Sequence, residues 1–209
     1  MRNRRQLADH KRRNPTQARA RETIAAILEA AAQILERGGR EALGTNHIAE
    51  RAGVSIGSLY QYFADKDAIL LALARRELGK GQDVVLAALA QAPNLDAEQR
   101  ARLVIRALVA AFGSRHRLRR HLLEALYAQG RHEELNRPVE AIAQAMALAA
   151  ERLAPNDDRR SALVRIFVLT RAVSGVIRAA ALEGSPFLGS AQLEDELVAL
   201  ITRYTAPLI

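Results

Sequence analysis

Cysteine is absent from the 209 residues. That removes disulfides, thiolate nucleophiles and Cys-ligated zinc or iron–sulfur centres together, and it fits a reducing cytoplasm. Proline occurs 6 times and glycine 12 times, and aromatics make up 4%. Few helix breakers in a chain dominated by alanine and leucine predict an all-α protein. No apolar run approaches the ~20 residues needed to cross a bilayer. The basic N-terminus, MRNRRQLADHKRRNPTQARAR, has no apolar stretch ending in a cleavage site, so it does not read as a secretory signal. Acidic residues are in deficit, 23 Asp and Glu against 31 Lys and Arg, for a net charge of +8 and a pI near 10.7. Such a balance favours a polyanionic partner, nucleic acid above all, over acidic small substrates. An inert basic surface is the alternative. Arg2, Arg4, Arg5, Lys11, Arg12, Arg13, Arg19 and Arg21 crowd the first segment, and a basic arm ahead of a helix is a nucleic-acid device.

What is present reads as a succession of helices. Thr16 is expected to cap the first, in which Ile24, Ile27, Leu28, Ala31, Ile34 and Leu35 recur at helical spacing and which Gly38-Gly39 stop. Thr45 is expected to cap a short helix to Ala52, Ser55 another to Tyr62, and Asp65 a fourth that weakens at Gly79 and Gly81. Asp96 with Gln99 reads as a capping box for a helix to about Gly113. Further helices are expected over about 115–129, from Glu133 or Pro138 to Leu153, over about 158–182 after a Pro155-Asn156-Asp157 turn, and after a Ser190 cap. That makes about nine helices and no strand.

The segment AGVSIGSLYQYFADK, Ala52 to Lys66, carries the functional signal. Small residues and exposed-type tyrosines within two helical turns are poor core material and suit a surface that approaches another molecule closely. Thr45–Ala52, the Gly53-Val54 turn and Ser55–Tyr62 have the layout of a helix-turn-helix, whose second helix places its first residues in the major groove. Gly57 and Ser58 let the backbone approach bases. Tyr60 and Tyr62 offer hydroxyls to phosphate, and Lys66 stands ready to neutralise one. Leu59 is expected in the core.

The run from Thr23 to Leu70 resembles the DNA-binding domain of the TetR family of transcriptional repressors. The matching pieces are Ile27-Leu28-x-Ala30-Ala31, Gly39, Thr45-x-x-Ile48-Ala49, Ala52-Gly53-Val54-Ser55, Gly57-x-Leu59-Tyr60-x-Tyr62-Phe63 and Lys66. The resemblance implies a three-helix helix-turn-helix domain over 17–66, behind an arm over 1–16 and ahead of a helical ligand-binding and dimerisation domain over 67–209. It implies that Thr45, Tyr60 and Lys66 touch phosphates. Asn46 and His47 would lie by the backbone or groove edge, and Ser55, Ile56, Gly57, Ser58 and Gln61 would face bases. Members often carry arginine where His47 stands. Ile56 offers only apolar contact, for example to a thymine methyl, and Gln61 is the best polar reader. Arg12, Arg13 and Arg19 would reach the adjacent minor groove.

For the second half the resemblance implies a homodimer formed by the last two helices. Thr170, Ser174, Gly175 and Ala179 give one strip for it, and Leu193, Leu197, Ile201 and Tyr204 the other; both strips facing the chain's own core is the alternative. An apolar small-molecule pocket would draw on Leu108, Phe112, His116, Leu122, Leu126, Tyr127, Met146 and Phe167, with Arg171 anchoring an anion. Plain core is the base case for such residues. His116 and His121 are five apart and do not share a helix face, so no metal and no cofactor is expected. The reading is a cytoplasmic regulator and not an enzyme: a repressor released from a palindromic operator by a small-molecule inducer. A DNA-binding protein without a ligand, an activator and an all-helical enzyme are the rivals; the last lacks a cysteine, a metal constellation and a phosphate-cradling glycine loop.

Overall fold

The computed structural model describes residues 15–91, 95–113, 115–153 and 159–205. Among them are nine helices and no strand: α1 (Pro15–Gly38), α2 (Thr45–Ala52), α3 (Ile56–Tyr62), α4 (Lys66–Ala90), α5 (Ala97–Gly113), α6 (His116–Ala128), α7 (His132–Leu153), α8 (Arg159–Glu183) and α9 (Ala191–Thr205). No helix of the described residues is long and apolar enough to cross a membrane. The Pro93-Asn94 and Pro155-Asn156-Asp157 breaks lie outside the described residues.

Local chemistry sets most boundaries. Ser55 caps α3 by accepting the Ser58 N–H at 3.0 Å, and Asp65 caps α4 by accepting that of Ala68 at 2.7 Å. Asp96 and Gln99 form the reciprocal box, with bonds of 2.8 and 3.3 Å, and Ser190 accepts from Leu193 N–H at 3.2 Å. Two expected caps shift. Thr16 lies inside α1, which is already helical at Pro15. The N-cap of α2 is Gly44, extended at φ −123° and without a side-chain bond, so Thr45 is the first helical residue and its hydroxyl is engaged elsewhere. The fourth helix does not pause at Gly79 or Gly81. It runs unbroken to Ala90, and Gly81 is buried where a Cβ would meet Ala111 and the Arg119 guanidinium at 3.7 Å. The seventh helix starts at His132 and carries Pro138 within it.

Two apolar clusters organise the packing. The first joins α1, α2, α3 and α4 through Ile27, Leu35, Ile48, Leu59, Ile69 and Leu73, and then continues into α6 through Leu118, Leu122, Leu123 and Leu126. The α1–α3 end is therefore not an independent core. The second unites α5, α8 and α9 around Ile105, Leu169, Val173, Ile177, Leu197 and Val198, and Phe112 and Leu188 pack against both. Each fully buried aliphatic side chain contributes roughly 1.5–3 kcal/mol.

A half-buried ion pair ties α4 to α7. Arg75 grips Glu134 with both arms of its guanidinium, one bond being 2.9 Å from Nε, and the Glu134 side chain is 8% exposed. That hydrogen bond holds the Glu134 carboxyl below its ordinary 4.5, against the opposing effect of burial. A depressed folded-state value means the unfolded chain binds the proton first as pH falls. The pair's stabilisation is complete above the unfolded value and is lost as pH drops through the folded one. Glu29 and Glu77 are lowered as well, so stability should fall as the pH drops below about 5. Denaturant titrations across that range check it, and Arg75→Met should flatten the drop by removing the cause at Glu134.

Candidate nucleic-acid interface

α3 has only seven residues, too few to be stable alone. Leu59, with no exposed surface, and Phe63 at 7% anchor it from below. The other side is turned outward: Ile56, Gly57, Tyr60, Gln61 and Tyr62 are exposed, and Tyr60 keeps 52% of its surface free. Ser58 is half-buried, its hydroxyl 2.8 Å from that of Ser55. Three large side chains left open on one short helix, pinned by two buried ones, define a contact surface.

The turn before it is fixed by Gly53, left-handed at φ 67°, whose N–H and that of Val54 return to the carbonyls of Glu50 and Ala49. α2 is locked below by Ile48 and Ala49, while Asn46 and His47 stay exposed. The His47 ring lies 3.2 Å from the Ala42 carbonyl. Thr45 Oγ1 and Tyr60 Oη are 3.2 Å apart, which brings the two expected phosphate contacts from α2 and α3 together. The amino end of α2 carries no capping side chain, leaving its first N–H groups available to an anion. Neither α2 nor α3 has an acidic residue in its first turn. Lys66 is exposed at the head of α4, and Arg19 is exposed on α1. Arg12 and Arg13 lie outside the described residues.

The expected pocket residues separate. Phe112, Leu122 and Leu126 line a small, partly open cavity between α4, α5 and α6, with Glu77, Leu78, Arg119 and Leu123, and its volume is only about 10 Å³. Phe167 and Arg171 line an open groove of about 260 Å³ between α7 and α8, where the guanidinium stacks on the ring at 4.8 Å. Leu108 and Met146 pack against the α5–α8–α9 cluster. His116 is exposed and Tyr127 is 39% exposed, so neither points into a cavity.

Of the expected pairing residues, Thr170 and Leu197 are buried within the chain. Ser174, Gly175, Leu193, Ile201 and Tyr204 are half-buried and Ala179 is exposed. Sequence reasoning overlooked the open apolar face beside them, made by Leu163, Val164, Phe167, Val168 and Val176 on α8 and Leu200 on α9. The signal was available: α8 is apolar at Leu163-Val164 and again at Ile166-Phe167-Val168-Leu169, too many consecutive positions for a helix with one buried side. Also overlooked was Arg51, which sits in the last turn of α2 and turns sideways to Gln33 on α1 at 2.9 and 3.0 Å.

A two-helix reading unit on an all-helical body defines a helix-turn-helix DNA-binding regulator. Residues 27–73 match the profile of bacterial regulatory proteins of the tetR family, and residues 96–204 that of the tetracyclin repressor-like C-terminal domain. The chain belongs to the TetR family of transcriptional regulators, which are DNA-binding proteins and not enzymes. A 57-residue stretch is 42% identical to the transcriptional repressor KstR of Mycolicibacterium smegmatis, covering 27% of this chain and 28% of KstR. KstR of Mycobacterium tuberculosis is 38% identical over 60 residues, 29% of this chain and 27% of its own. Alignment to these relatives thus spans little more than a quarter of their length. Over the whole chain the fold is like that of a TetR-family regulator from Mesorhizobium loti, with a TM-score of 0.71 at 17% identity over 90% of this chain and 98% of that one. One from Streptomyces coelicolor gives 0.64 at 20% identity over 91% and 99%.

Proposed function

We propose that the chain is a cytoplasmic repressor that binds a palindromic operator as a homodimer and is released by a largely apolar small molecule. The observation that carries the DNA reading is the outward face of α3, open and free of carboxylate while its reverse is sealed by Leu59 and Phe63. In this reading the paired Thr45 and Tyr60 hydroxyls and the open amino end of α2 hold one phosphate, and Lys66 and the Tyr62 hydroxyl hold the backbone further along. Ser55, Gly57 and Ser58 bring the helix close. Ile56 packs on a thymine methyl and Gln61 supplies the polar base contact. Asn46 and His47 approach the groove edge, and Arg19 with Arg12 and Arg13 follows the minor groove. Selecting genomic fragments on the purified protein tests this reading. Retained fragments should share a palindrome whose half-sites lie about one helical turn, ~34–36 Å, or a multiple apart. Retention of no duplex at low salt would sink it.

The uncovered α8 face supports pairing with a second copy. Val164, Phe167, Val168 and Val176 with Leu200 continue the strip of Gly175 and Ala179, with Ser174, Leu193, Ile201 and Tyr204 at its margins. A Phe167→Glu/Val168→Glu protein should sediment as a monomer, keep its helicity and lose operator affinity by about tenfold or more, since one half-site alone remains. Sedimentation velocity and anisotropy titrations measure both.

The inducer would act through the Phe112–Leu122–Leu126 cavity or the Phe167–Arg171 groove. The cavity is near the size of one water, so an inducer there must part α4, α5 and α6. That small volume favours a second reading, a regulator with no effector. Native mass spectrometry distinguishes them, because a bound small molecule carried through purification supports the first.

A further inference from the structure

We propose that Arg115 is a positioning residue for DNA reading, acting through a polar chain that runs from α6 across α1 to the supporting helix α2. The inference rests on the DNA-reading role of α2 and α3 given above. Arg115 is the one non-glycine residue with positive φ among the described residues, at φ 56° and ψ 45°. A left-handed backbone is unfavourable for a long side chain, where glycine or asparagine would sit relaxed. Nor does Arg115 cap α6 with its side chain, though it is the N-cap. The guanidinium reaches across to α1 instead. Its Nε donates to Glu36 at 3.0 Å, and its two terminal nitrogens donate to the two oxygens of Glu29 at 3.0 and 3.4 Å. An outlier held in place by such a grip points to use of the grip.

Glu29 is the junction of the chain. From α4 it accepts the Arg76 guanidinium at 3.2 Å, and Arg76 also donates to Glu77 at 3.1 Å. Glu77, whose side chain is 3% exposed, takes Lys80 at 2.9 Å, and its backbone carbonyl accepts from Arg119 of α6 at 3.4 Å. In the other direction Gln33, one turn along α1, donates to Glu29 at 3.4 Å. Its carbonyl oxygen accepts both nitrogens of Arg51, two residues before the Gly53 turn. One carboxylate thus gathers α6 and α4 and hands on, through a single amide, to the helix that carries Thr45, Asn46 and His47.

Ordinary exposed ion pairs contribute little. Arg115, Arg76 and Glu29 are half-buried or better, with side-chain exposures of 31%, 22% and 44%, while the Arg51 end of the chain is exposed. Bonds in such a chain polarise one another and fix a common geometry. Its inner end is also placed to respond. Glu77 and Arg119 line the small cavity with Phe112, so any change in that cavity bears on the end of the chain.

Arg115→Asn suits the left-handed backbone and removes the guanidinium. The variant should keep wild-type helicity by circular dichroism. Its affinity for the duplex recovered by the wild-type protein should fall roughly fivefold. The slope of affinity against salt should not change, because no phosphate contact is lost. Backbone amides of residues 45–52 should exchange hydrogen faster. Arg115→Lys keeps the charge without the fork and should restore little. Arg51→Ala should weaken binding, and adding Arg115→Asn to it should weaken it by less than about twofold more, since the two act in one chain. Arg120→Ala, which breaks a pair with Glu124 on the same helix α6, should change none of these. Wild-type affinity and wild-type α2 exchange in Arg115→Asn would overturn the proposal, and so would fully additive effects of Arg115 and Arg51. Faster α2 exchange in a protein that retains no duplex would keep the mechanical link and reject the DNA reading.

Discussion

Gly57→Glu is expected to abolish operator binding while leaving the fold intact. Gly57 lies in the first turn of α3 and is exposed, and its backbone is not among those with positive φ. A Cβ built there meets only the Ser55 hydroxyl, at 3.9 Å. The free protein therefore has room for the new side chain. Replacing an exposed helical glycine with a better helix former stabilises by roughly 0.5–1 kcal/mol. In the proposed complex the same side chain meets the groove and its phosphates. A carboxylate at that distance costs several kcal/mol, so affinity should drop by about a hundredfold or more. The melting temperature should stay level or rise while anisotropy titrations show the loss. Gly57→Ala isolates the contribution of volume and should weaken binding by less. Undiminished affinity in Gly57→Glu would mean that α3 does not enter a groove.

Leu118→Ala should produce the largest loss of stability of any single change considered for this chain. Leu118 has no exposed surface and lies in the cluster shared by α1, α2, α3, α4 and α6. Truncating a buried leucine costs about 2–5 kcal/mol, the higher values applying where neighbours cannot collapse into the space. For a chain of this size that lowers the melting temperature by roughly 10 °C. The transition should remain single, because the cluster spans both halves of the molecule. A separate early transition confined to the reading end would show that its core is autonomous after all. Calorimetry resolves the two outcomes.

Much of this was legible in the residues. Ser55, Asp65, Asp96-Gln99 and Ser190 announce helix starts because a short polar side chain satisfies N–H groups of the first turn, and all four do so here. Leu59 and Phe63 sit at the spacing that turns them inward together. Thr45 misled because threonine is a good cap by type, whereas its hydroxyl has a partner 15 residues away on another helix. Gly79 and Gly81 misled for a tertiary reason: α4 is held by its neighbours on α5 and α6, which outweighs the local cost of glycine. The effector region was least legible. Leu122, Leu126 and Phe112 look alike as core and as pocket, and only the packing reveals how little space they leave. Of the Arg115–Glu29–Gln33–Arg51 chain only the Glu29–Gln33 step has a helical spacing, and the joins to Arg115 and Arg51 cross between elements where no spacing announces them.

The anchoring of α3 by two side chains has an evolutionary consequence. Leu59 and Phe63, with the Ser55 cap, decide whether the helix exists. Ile56, Gly57, Gln61 and Tyr62 have little part in that decision. Substitutions at these outward positions escape the purge that removes destabilised variants. Under the proposed DNA reading, a duplicated copy can therefore drift toward a different recognition sequence without first acquiring compensating changes. New regulatory circuits can arise from this scaffold by altering a handful of codons.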